Sequence, residues 1–176
     1  MKVLSYENEN LEVHLLNGKS CTYFDVPFKV YDEMVKSESP LDYFNSNIWG
    51  CKYEHEMEWS SLEDLLVEIA DILLVEPPIS VNEQPFNDTP LHVTAIWGDV
   101  KATNMLLAAG AGVNTLGDMS CTPLYNAVSF GHVRCAKLLI DAGASLDDEN
   151  ELEISAKEAA MKSGNQYLVK LFESRA

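Results

Sequence analysis

The chain has 176 residues, of which 47% are hydrophobic, with 28 acidic and 12 basic side chains and a net charge of −16. This length allows one domain or two small ones, and a folded chain of this size buries roughly 70% of its unfolded surface, so no disulfide is needed for stability. The charge disfavours binding to DNA, RNA or anionic membranes, because their phosphate groups would be repelled, and it favours a basic partner.

Cysteine usage and hydropathy predict a cytoplasmic protein. The four cysteines, Cys21, Cys51, Cys121 and Cys135, are widely spaced and include no C-x-x-C pair, so we expect free thiols in a reducing compartment. The N-terminal segment lacks the apolar core of a signal peptide. The longest clearly apolar run, residues 72–75, is far shorter than the roughly 20 residues of a transmembrane helix.

The first part of the chain predicts a small antiparallel sheet followed by helices. Alternating apolar and polar residues and an Asn-Gly turn signal indicate the strands. Pro27 is suited to open the helix that follows. The predicted elements are strands over residues 2–6, 11–15 and 20–26, a helix over 28–36, and a loop with a short helix over 39–48.

Several short sequence motifs occur in this part of the chain. They are Leu11-x-Val13, Asn17-Gly18, Tyr23-x-x-Val26-Pro27 and Tyr43-Phe44-Asn45-x-x-Ile48, followed by Tyr53. In this order they resemble the KTSC domain, a small module also found appended to some bacterial lysyl-tRNA synthetases. The resemblance covers residues 3–55 and implies an α+β fold without a well-established activity. The synthetase context keeps RNA or tRNA binding open as an alternative function, although five lysines against ten acidic residues in residues 1–56 oppose it.

A constant step in sequence organises the rest of the chain. The segment 88–92, Asp-Thr-Pro-Leu-His, recurs at 121–125 as Cys-Thr-Pro-Leu-Tyr. Gly98, Gly131 and Gly164 keep the same separation of 33 residues, which we call the repeat step. Each Thr-Pro pair is suited to cap and open a helix, and each glycine is suited to the turn between two antiparallel helices. The sequence therefore predicts stacked helix pairs.

This pattern resembles the ankyrin repeat over residues 57–176. The resemblance implies that His92 hydrogen-bonds between a loop and a helix, whereas Tyr125 departs from the family pattern at the equivalent position. Residues 59–74 have apolar side chains at helical spacing and are followed by two prolines, so we interpret them as the helix of a degenerate first repeat.

The predicted fold class is therefore α+β: a small N-terminal three-stranded antiparallel sheet with helices, followed by an all-α ankyrin-repeat array. The polar outer face of the last unit suits a terminal cap. The predicted division is a KTSC-like domain at residues 1–56, a degenerate repeat at 57–87, repeats at 88–120 and 121–153, and a C-terminal capping repeat at 154–176.

The candidate catalytic, cofactor and metal motifs have simpler structural explanations. Gly110-Ala111-Gly112 follows a predicted helix and lacks the third glycine of a dinucleotide fingerprint, so it is interpreted as a repeat turn. Cys51 and His55 have the spacing of half a metal site but no second pair accompanies them, and a buried cysteine is favoured. The acidic residues 54–71 are interpreted as a solvated helix face and not as a catalytic pair. We predict a protein that is not an enzyme and needs no cofactor.

The distribution of charge is uneven along the chain. Residues 57–90 carry −8 of the total charge of −16, and no Lys or Arg occurs between Lys52 and Lys101. Two interpretations of this acidic segment remain open. It is either a surface that merely keeps the protein in solution, or a binding surface whose negative potential attracts a basic partner.

The ankyrin resemblance implies binding through hairpin tips and inner helices. Trp97 and Phe130 precede turn glycines at equivalent places in adjacent units and would form an apolar patch for a partner. The alternative is that they pack on each other or on the N-terminal module. The predicted partner-binding residues are Ile96, Trp97, Asp99, Leu116, Asp118, Met119, Phe130, Glu63, Asp64, Glu68 and Asp71.

The predicted function is non-catalytic binding of a basic protein. Its most concrete form is an acidic, immunity-like inhibitor that masks a basic toxin or nuclease in a bacterial cytoplasm. A generic ankyrin adaptor and RNA or tRNA binding through the KTSC-like domain are the alternatives. No membrane is expected as a partner, and a monomer is compatible with the sequence.

Overall fold

The N-terminal module is built on an antiparallel sheet. The computed structural model describes residues 2–14, 20–24, 26–40, 43 and 55–175. Within them the sheet has four strands in sequential order, β1 Lys2–Glu7, β2 Asn10–His14, β3 Ser20–Tyr23 and β4 His55–Met57. The helix α1 spans Phe28–Lys36. The predicted α+β class is confirmed, and the helix and the first two strands lie where they were predicted, whereas β3 ends at Tyr23 and not at the predicted residue 26.

One face of this sheet forms the core of the module. Its buried side chains alternate along β2 and β3, as expected when a single face of a sheet is apolar. They are Leu11, Val13, Cys21 and Tyr23, and Met34 of α1 is buried in the same core. The predicted turn at residues 17–18, most of the predicted short helix over 39–48, and Cys51 lie outside the described residues.

The fourth strand was not predicted. Residues 55–57 pair antiparallel with β3, with Met57 opposite Cys21, so the sheet crosses the proposed domain boundary after residue 56. Three residues are too few to show an alternating pattern, because strand periodicity needs at least four. Their pairing depends on the long-range approach of β3, which the local sequence does not encode.

Seven helices form the second module in the described part of the chain. The inner row is α3, α5 and α7, the outer row is α4, α6 and α8, and α2 packs on α3 and α4. The bounds are α2 Leu62–Ile72, α3 Pro90–Trp97, α4 Val100–Ala108, α5 Pro123–Ser129, α6 Val133–Asp141, α7 Ala156–Lys162 and α8 Gln166–Glu173. The predicted repeat step therefore corresponds to successive antiparallel helix pairs.

The degenerate first unit contains a single helix. We predicted a helix over residues 59–74, but α2 begins at Leu62 because the Ser61 hydroxyl caps it, accepting a hydrogen bond from the Asp64 N–H at 3.0 Å. Trp59 therefore lies before the start of the helix, and its side chain is buried. No inner helix lies in the described residues between β4 and α2 of this unit, and β4 there contacts the outer helix α4.

Two asparagines connect neighbouring hairpin loops, which we call fingers: finger 1 is residues 76–89, finger 2 is 111–122 and finger 3 is 144–155. Asn82 donates to the Gly110 carbonyl at 3.1 Å and accepts from the Gly112 N–H at 2.8 Å. Asn114 repeats this arrangement with the carbonyl of residue 143 and the N–H of residue 145. The fingers are thereby fixed relative to one another along one edge of the helix stack.

The histidine predicted from the repeat pattern makes the expected connection. His92 Nδ1 accepts from the Thr89 N–H at 3.1 Å, and His92 Nε2 lies 3.1 Å from the Cys121 carbonyl, to which it donates. In the next unit, among the described residues, the Tyr125 hydroxyl makes no such bond. The buried Asn150 side chain holds that loop instead, because its carbonyl oxygen accepts from the N–H groups of residues 152 and 154.

Two turn glycines differ in what surrounds them. Gly98 and Gly131 both have positive φ, +70° and +83°, but a Cβ on Gly98 would lie 2.5 Å from the His132 ring, whereas nothing lies within 4 Å of a Cβ on Gly131. We expect Gly131→Ala to cost about 1 kcal/mol for the backbone conformation alone, and Gly98→Ala about 2–3 kcal/mol because it also displaces His132. Urea unfolding of both variants measures the difference. Equal losses would contradict the role given to this contact.

Candidate functional site

A buried carboxylate joins the two modules. Asp99 caps α4 by accepting from the Ala102 N–H at 2.9 Å, and its other oxygen accepts from the Met57 N–H at 3.1 Å and from Trp59 Nε1 at 2.9 Å. The residue is fully buried. Asp99 was among the predicted partner-binding residues, and in the folded chain its carboxylate is enclosed by these contacts and does not reach the surface.

Ring and charge contacts extend this junction. Trp97 stacks on Trp59 with ring centroids 6.4 Å apart. The Arg134 guanidinium lies 3.9 Å from the centre of the Phe24 ring, a cation–π contact between α6 and the residue after β3. Trp97 therefore packs on Trp59, within the predicted degenerate repeat, whereas the alternative interpretation named Phe130 or the N-terminal module as its partner.

Phe130 and Ile96 have different surroundings although they belong to the same predicted patch. Phe130 is 47% exposed and stacks on the His132 ring at 6.3 Å. Ile96 is half-buried, and its carbonyl accepts from His132 Nε2 at 3.0 Å. Of the predicted aromatic pair, Phe130 is therefore the member that presents a large apolar surface to solvent.

The predicted tip residues lie together on finger 2. Leu116 and Met119 are half exposed, and Asp118 is exposed beside them. The tip is a tight turn closed by the Ser120 N–H, which donates to the Gly117 carbonyl at 3.1 Å. Met119, the third residue of this turn, has a left-handed φ of +53°.

Fingers 1 and 3 have hydrogen-bonded turns at the same repeat register, which were not predicted. Phe86 has a left-handed backbone like Met119, whereas in finger 3 the left-handed residue is Glu153. In finger 1 the Asn87 N–H donates to the carbonyl of residue 84, and in finger 3 the Glu153 N–H donates to the Asn150 carbonyl. The third residues of these turns are Phe86, 74% exposed, and Leu152, 59% exposed. Each lies one repeat step from Met119, so the repeat register alone could have identified them.

The predicted acidic residues lie on α2. Glu63 and Asp71 are exposed, whereas Asp64 and Glu68 are partly buried, with Asp64 accepting from the Ser60 N–H at 3.3 Å. Beside the helix lies an open groove of about 500 Å³. Its apolar lining residues are Leu62, Leu66, Val67, Pro77, Pro78 and Ile79.

Cys121 is the partly exposed thiol among the described cysteines. Burial raises the pKa of the Cys121 thiol, and the nearby charges of Asp88, Asp118 and Glu151 raise it further, so the thiol stays protonated and is a poor nucleophile. No group of three or more His, Cys, Asp or Glu side chains in the described ranges is placed to hold a metal ion. The surface is instead rich in exposed acidic and apolar groups, which suit recognition.

Comparison with known families decides the identity of the helix stack. The family model described as "Ankyrin repeats (3 copies)" matches residues 59–150, slightly more than half of the chain. The chain belongs to the ankyrin-repeat family. The KTSC domain model matches residues 4–53, so this ankyrin-repeat protein also carries a KTSC domain. Ankyrin repeats are typically non-catalytic modules that bind other proteins.

Two further comparisons complete the description. Among curated proteins, none matches the chain at a significant level. In the described part of the ankyrin-repeat protein, every helix is too short or too polar to cross a membrane.

Proposed function

We propose that this ankyrin-repeat protein binds a basic protein without catalysing a reaction. The observation that carries the proposal is the segregation of charge over the ankyrin unit. The three fingers, residues 76–89, 111–122 and 144–155, contain nine Asp and Glu residues and no Lys or Arg. Every Lys and Arg beyond residue 57 lies on the helices α4 to α8 or just after them.

Helix α2 extends the acidic surface. Its exposed carboxylates, Glu63 and Asp71, lie in the segment between Lys52 and Lys101 that lacks basic side chains. A surface of one sign raises the local concentration of an oppositely charged partner and accelerates its association. The three described cysteines form no disulfide with one another, which supports a cytoplasmic location for this activity.

The most specific form of the proposal is an immunity-like inhibitor that covers the basic surface of a bacterial toxin or nuclease. Enzymes that act on nucleic acids need basic side chains to hold phosphates, so an acidic protein can occupy the same surface. A generic adaptor would bind a basic partner without affecting its activity. Adding the chain to the captured partner in an activity assay separates the two: stoichiometric loss of activity supports inhibition.

The proposal predicts a salt-dependent interaction that depends on α2. We expect the E63K/D71K variant to associate at least about tenfold more slowly with the partner captured from native cells at low salt, and the defect to shrink at high salt. The helix dipole acts on the two substitutions in opposite directions, since a cation is favoured at position 71 in the last turn and disfavoured at position 63 in the first turn, so we expect a small net change in helix stability. Stopped-flow association rates at two salt concentrations measure the effect.

The control is E38K/E173K, which changes the net charge equally at two exposed positions away from α2. It should slow association less. Capture of no basic protein, or an affinity that does not respond to salt, would overturn the proposed function. Recovery of RNA in place of protein would instead support binding through the KTSC domain.

A further inference from the structure

The open groove beside α2 lies at the first helix of the ankyrin unit. One wall is the first half of that helix, with Leu62, Leu66 and Val67, and the other wall is the segment 77–79. Its volume is about 500 Å³, within the range of roughly 300–1,000 Å³ that is typical of ligand pockets. We call it the α2 groove.

Both walls of the α2 groove are held in place by contacts inside the chain. The Ser61 hydroxyl caps the start of the helix. On the other wall Ile79 is buried, and the turn after it is closed by the Glu83 side chain, which accepts from the Ser80 N–H at 3.0 Å. Asn82 joins this turn to finger 2. The groove is therefore formed before any partner binds, which reduces the entropic cost of binding.

The lining of the groove leaves apolar surface in contact with solvent. Val67 is 46% exposed, and Pro77 and Pro78 on the other wall are exposed as well. The helix gains nothing from valine at an exposed position, because valine is a weaker helix former than glutamine, glutamate or lysine. An exposed, preformed apolar groove is typical of a binding site.

Carboxylates lie around the apolar lining. Glu63 lines the groove itself. Asp71 lies four residues after Val67 on the same edge of α2, and Glu76 directly precedes Pro77. Among the described residues, none of these three carboxylates forms an ion pair. Each of them can therefore pair with a cation that a partner brings.

These charges decide between the possible occupants of the groove. A second copy of this chain would bring a net charge of −16 against the same carboxylates and be repelled. Anionic lipids would be repelled for the same reason. A protein segment with Lys or Arg beside its apolar side chains is attracted by the carboxylates and covers the lining.

We infer that the α2 groove holds one or two large apolar side chains of a basic protein segment, whose cations lie against Glu63, Asp71 and Glu76. The five residue steps from Leu62 to Val67 span about 7.5 Å along the helix, which is room for one or two side chains. The inference rests on the proposed function for the class of partner and adds the place where that partner is anchored. Apolar anchors within a charged rim are the arrangement in which few residues supply most of the binding energy.

The test uses peptides from a random displayed library. The library is first depleted on the V67Q variant of the full chain and then selected on the wild type. The matched control is I72Q, because Ile72 is a β-branched residue of the same helix, is 51% exposed and does not line the groove. We expect peptides with Lys or Arg next to a large apolar residue, which bind V67Q at least about fivefold more weakly than they bind the wild type or I72Q.

Urea unfolding separates loss of the groove from loss of the fold. The midpoints of V67Q and I72Q should stay close to the wild-type value, because glutamine is a better helix former than valine or isoleucine. The variant V67A removes the same part of the wall with the strongest helix former, so it should weaken peptide binding even if V67Q is destabilised.

Several results would overturn the inference. They are a selection that yields no peptide after depletion, peptides that bind V67A as well as the wild type, and groove-dependent peptides without basic residues. Dimerisation of the wild type that is lost in V67Q would mean that a second copy occupies the groove. Binding of the wild type to zwitterionic vesicles that is lost in V67Q would mean that lipid does.

The two proposals fail in different ways. If a selection without depletion yields basic peptides that are lost on E63K/D71K and not on V67Q, the proposed function stands and the α2 groove is not its anchor. If that selection yields no basic peptides, both proposals fall.

Discussion

Replacing Asp99 with alanine is expected to lower the free energy of unfolding by about 3–5 kcal/mol. The carboxylate accepts hydrogen bonds inside the protein from the N–H groups of Met57 and Ala102 and from Trp59 Nε1. Each donor left unsatisfied in a buried place costs about 1–3 kcal/mol, and α4 loses its N-cap as well. Urea unfolding followed by tryptophan fluorescence measures this loss.

The control for this prediction is Asp71→Ala, which removes an exposed carboxylate from the last turn of α2 and should change stability by less than about 0.5 kcal/mol. The loss of stability in the conservative variant Asp99→Asn should lie between those of Asp99→Ala and Asp71→Ala, because one of its side-chain atoms would be an N–H donor facing other donors. An Asp99→Ala variant within about 1 kcal/mol of the wild type would mean that the module junction contributes little to folding.

Asp99 also shows how the repeat has been adapted to its neighbour. One repeat step later the equivalent residue is His132, which donates to the Ile96 carbonyl of the preceding unit. In the first unit no inner helix offers such a carbonyl, and β4 and Trp59 present N–H donors instead. An acceptor is then required at position 99, and a carboxylate supplies it. The KTSC domain is therefore integrated into the repeat stack through a change of hydrogen-bonding type at one repeat position.

The repeats could be predicted in detail because their signals are local. Thr-Pro pairs, turn glycines and the constant step located the helix pairs α3–α4 and α5–α6, and the resemblance to the ankyrin repeat supplied the role of His92. The start of α2 was wrong by three residues because the apolar Trp59 fits a helical spacing while its indole N–H is used by Asp99. A tertiary contact overrode the local pattern there.

The candidate surface was predicted less completely for a related reason. The exposure of a side chain depends on which other residues pack over it. The sequence spacing alone gave Trp97 and Phe130 equivalent positions in adjacent repeats. The structure covers Trp97 with Trp59 and leaves Phe130 exposed. Phe86 and Leu152 carried a usable signal, since they share the register of Met119. The left-handed backbone of Phe86 and Met119 has no sequence motif of its own, because both residues are bulky and apolar.

Replacing His92 with alanine is expected to cost about 3 kcal/mol. The Thr89 N–H and the Cys121 carbonyl both lose their partner, and the buried ring leaves a cavity between finger 2 and α3. The control is Tyr125→Phe at the equivalent position of the next repeat, where the hydroxyl makes no hydrogen bond within the described residues; its stability should stay within about 0.5 kcal/mol of the wild type. Equal losses in the two variants would show that the loss is not specific to the His92 connection.

His92 should also give stability a pH dependence. Burial lowers the pKa of its imidazole below the ordinary value of 6.5, against the opposing effects of the Asp88 charge and of backbone hydrogen bonds. The unfolded chain therefore binds more protons than the folded chain as the pH falls below 6.5. Stability is complete above that pH and is lost as the pH falls towards the folded pKa, by at most about 1.4 kcal/mol per pH unit.

The hydrogen-bond geometry predicts the same direction of the pH effect on stability, because His92 Nδ1 accepts from the Thr89 N–H and a proton on Nδ1 would break that bond. The measurement is the urea midpoint of the wild type and His92→Ala between pH 8 and pH 5. The wild type should lose more stability than the variant over this range, since the other ionisable groups are common to both. Parallel stability–pH profiles of the wild type and the variant would show that the imidazole is as easily protonated in the folded state as in the unfolded state. The connection between finger 2 and α3 would then not depend on a neutral ring.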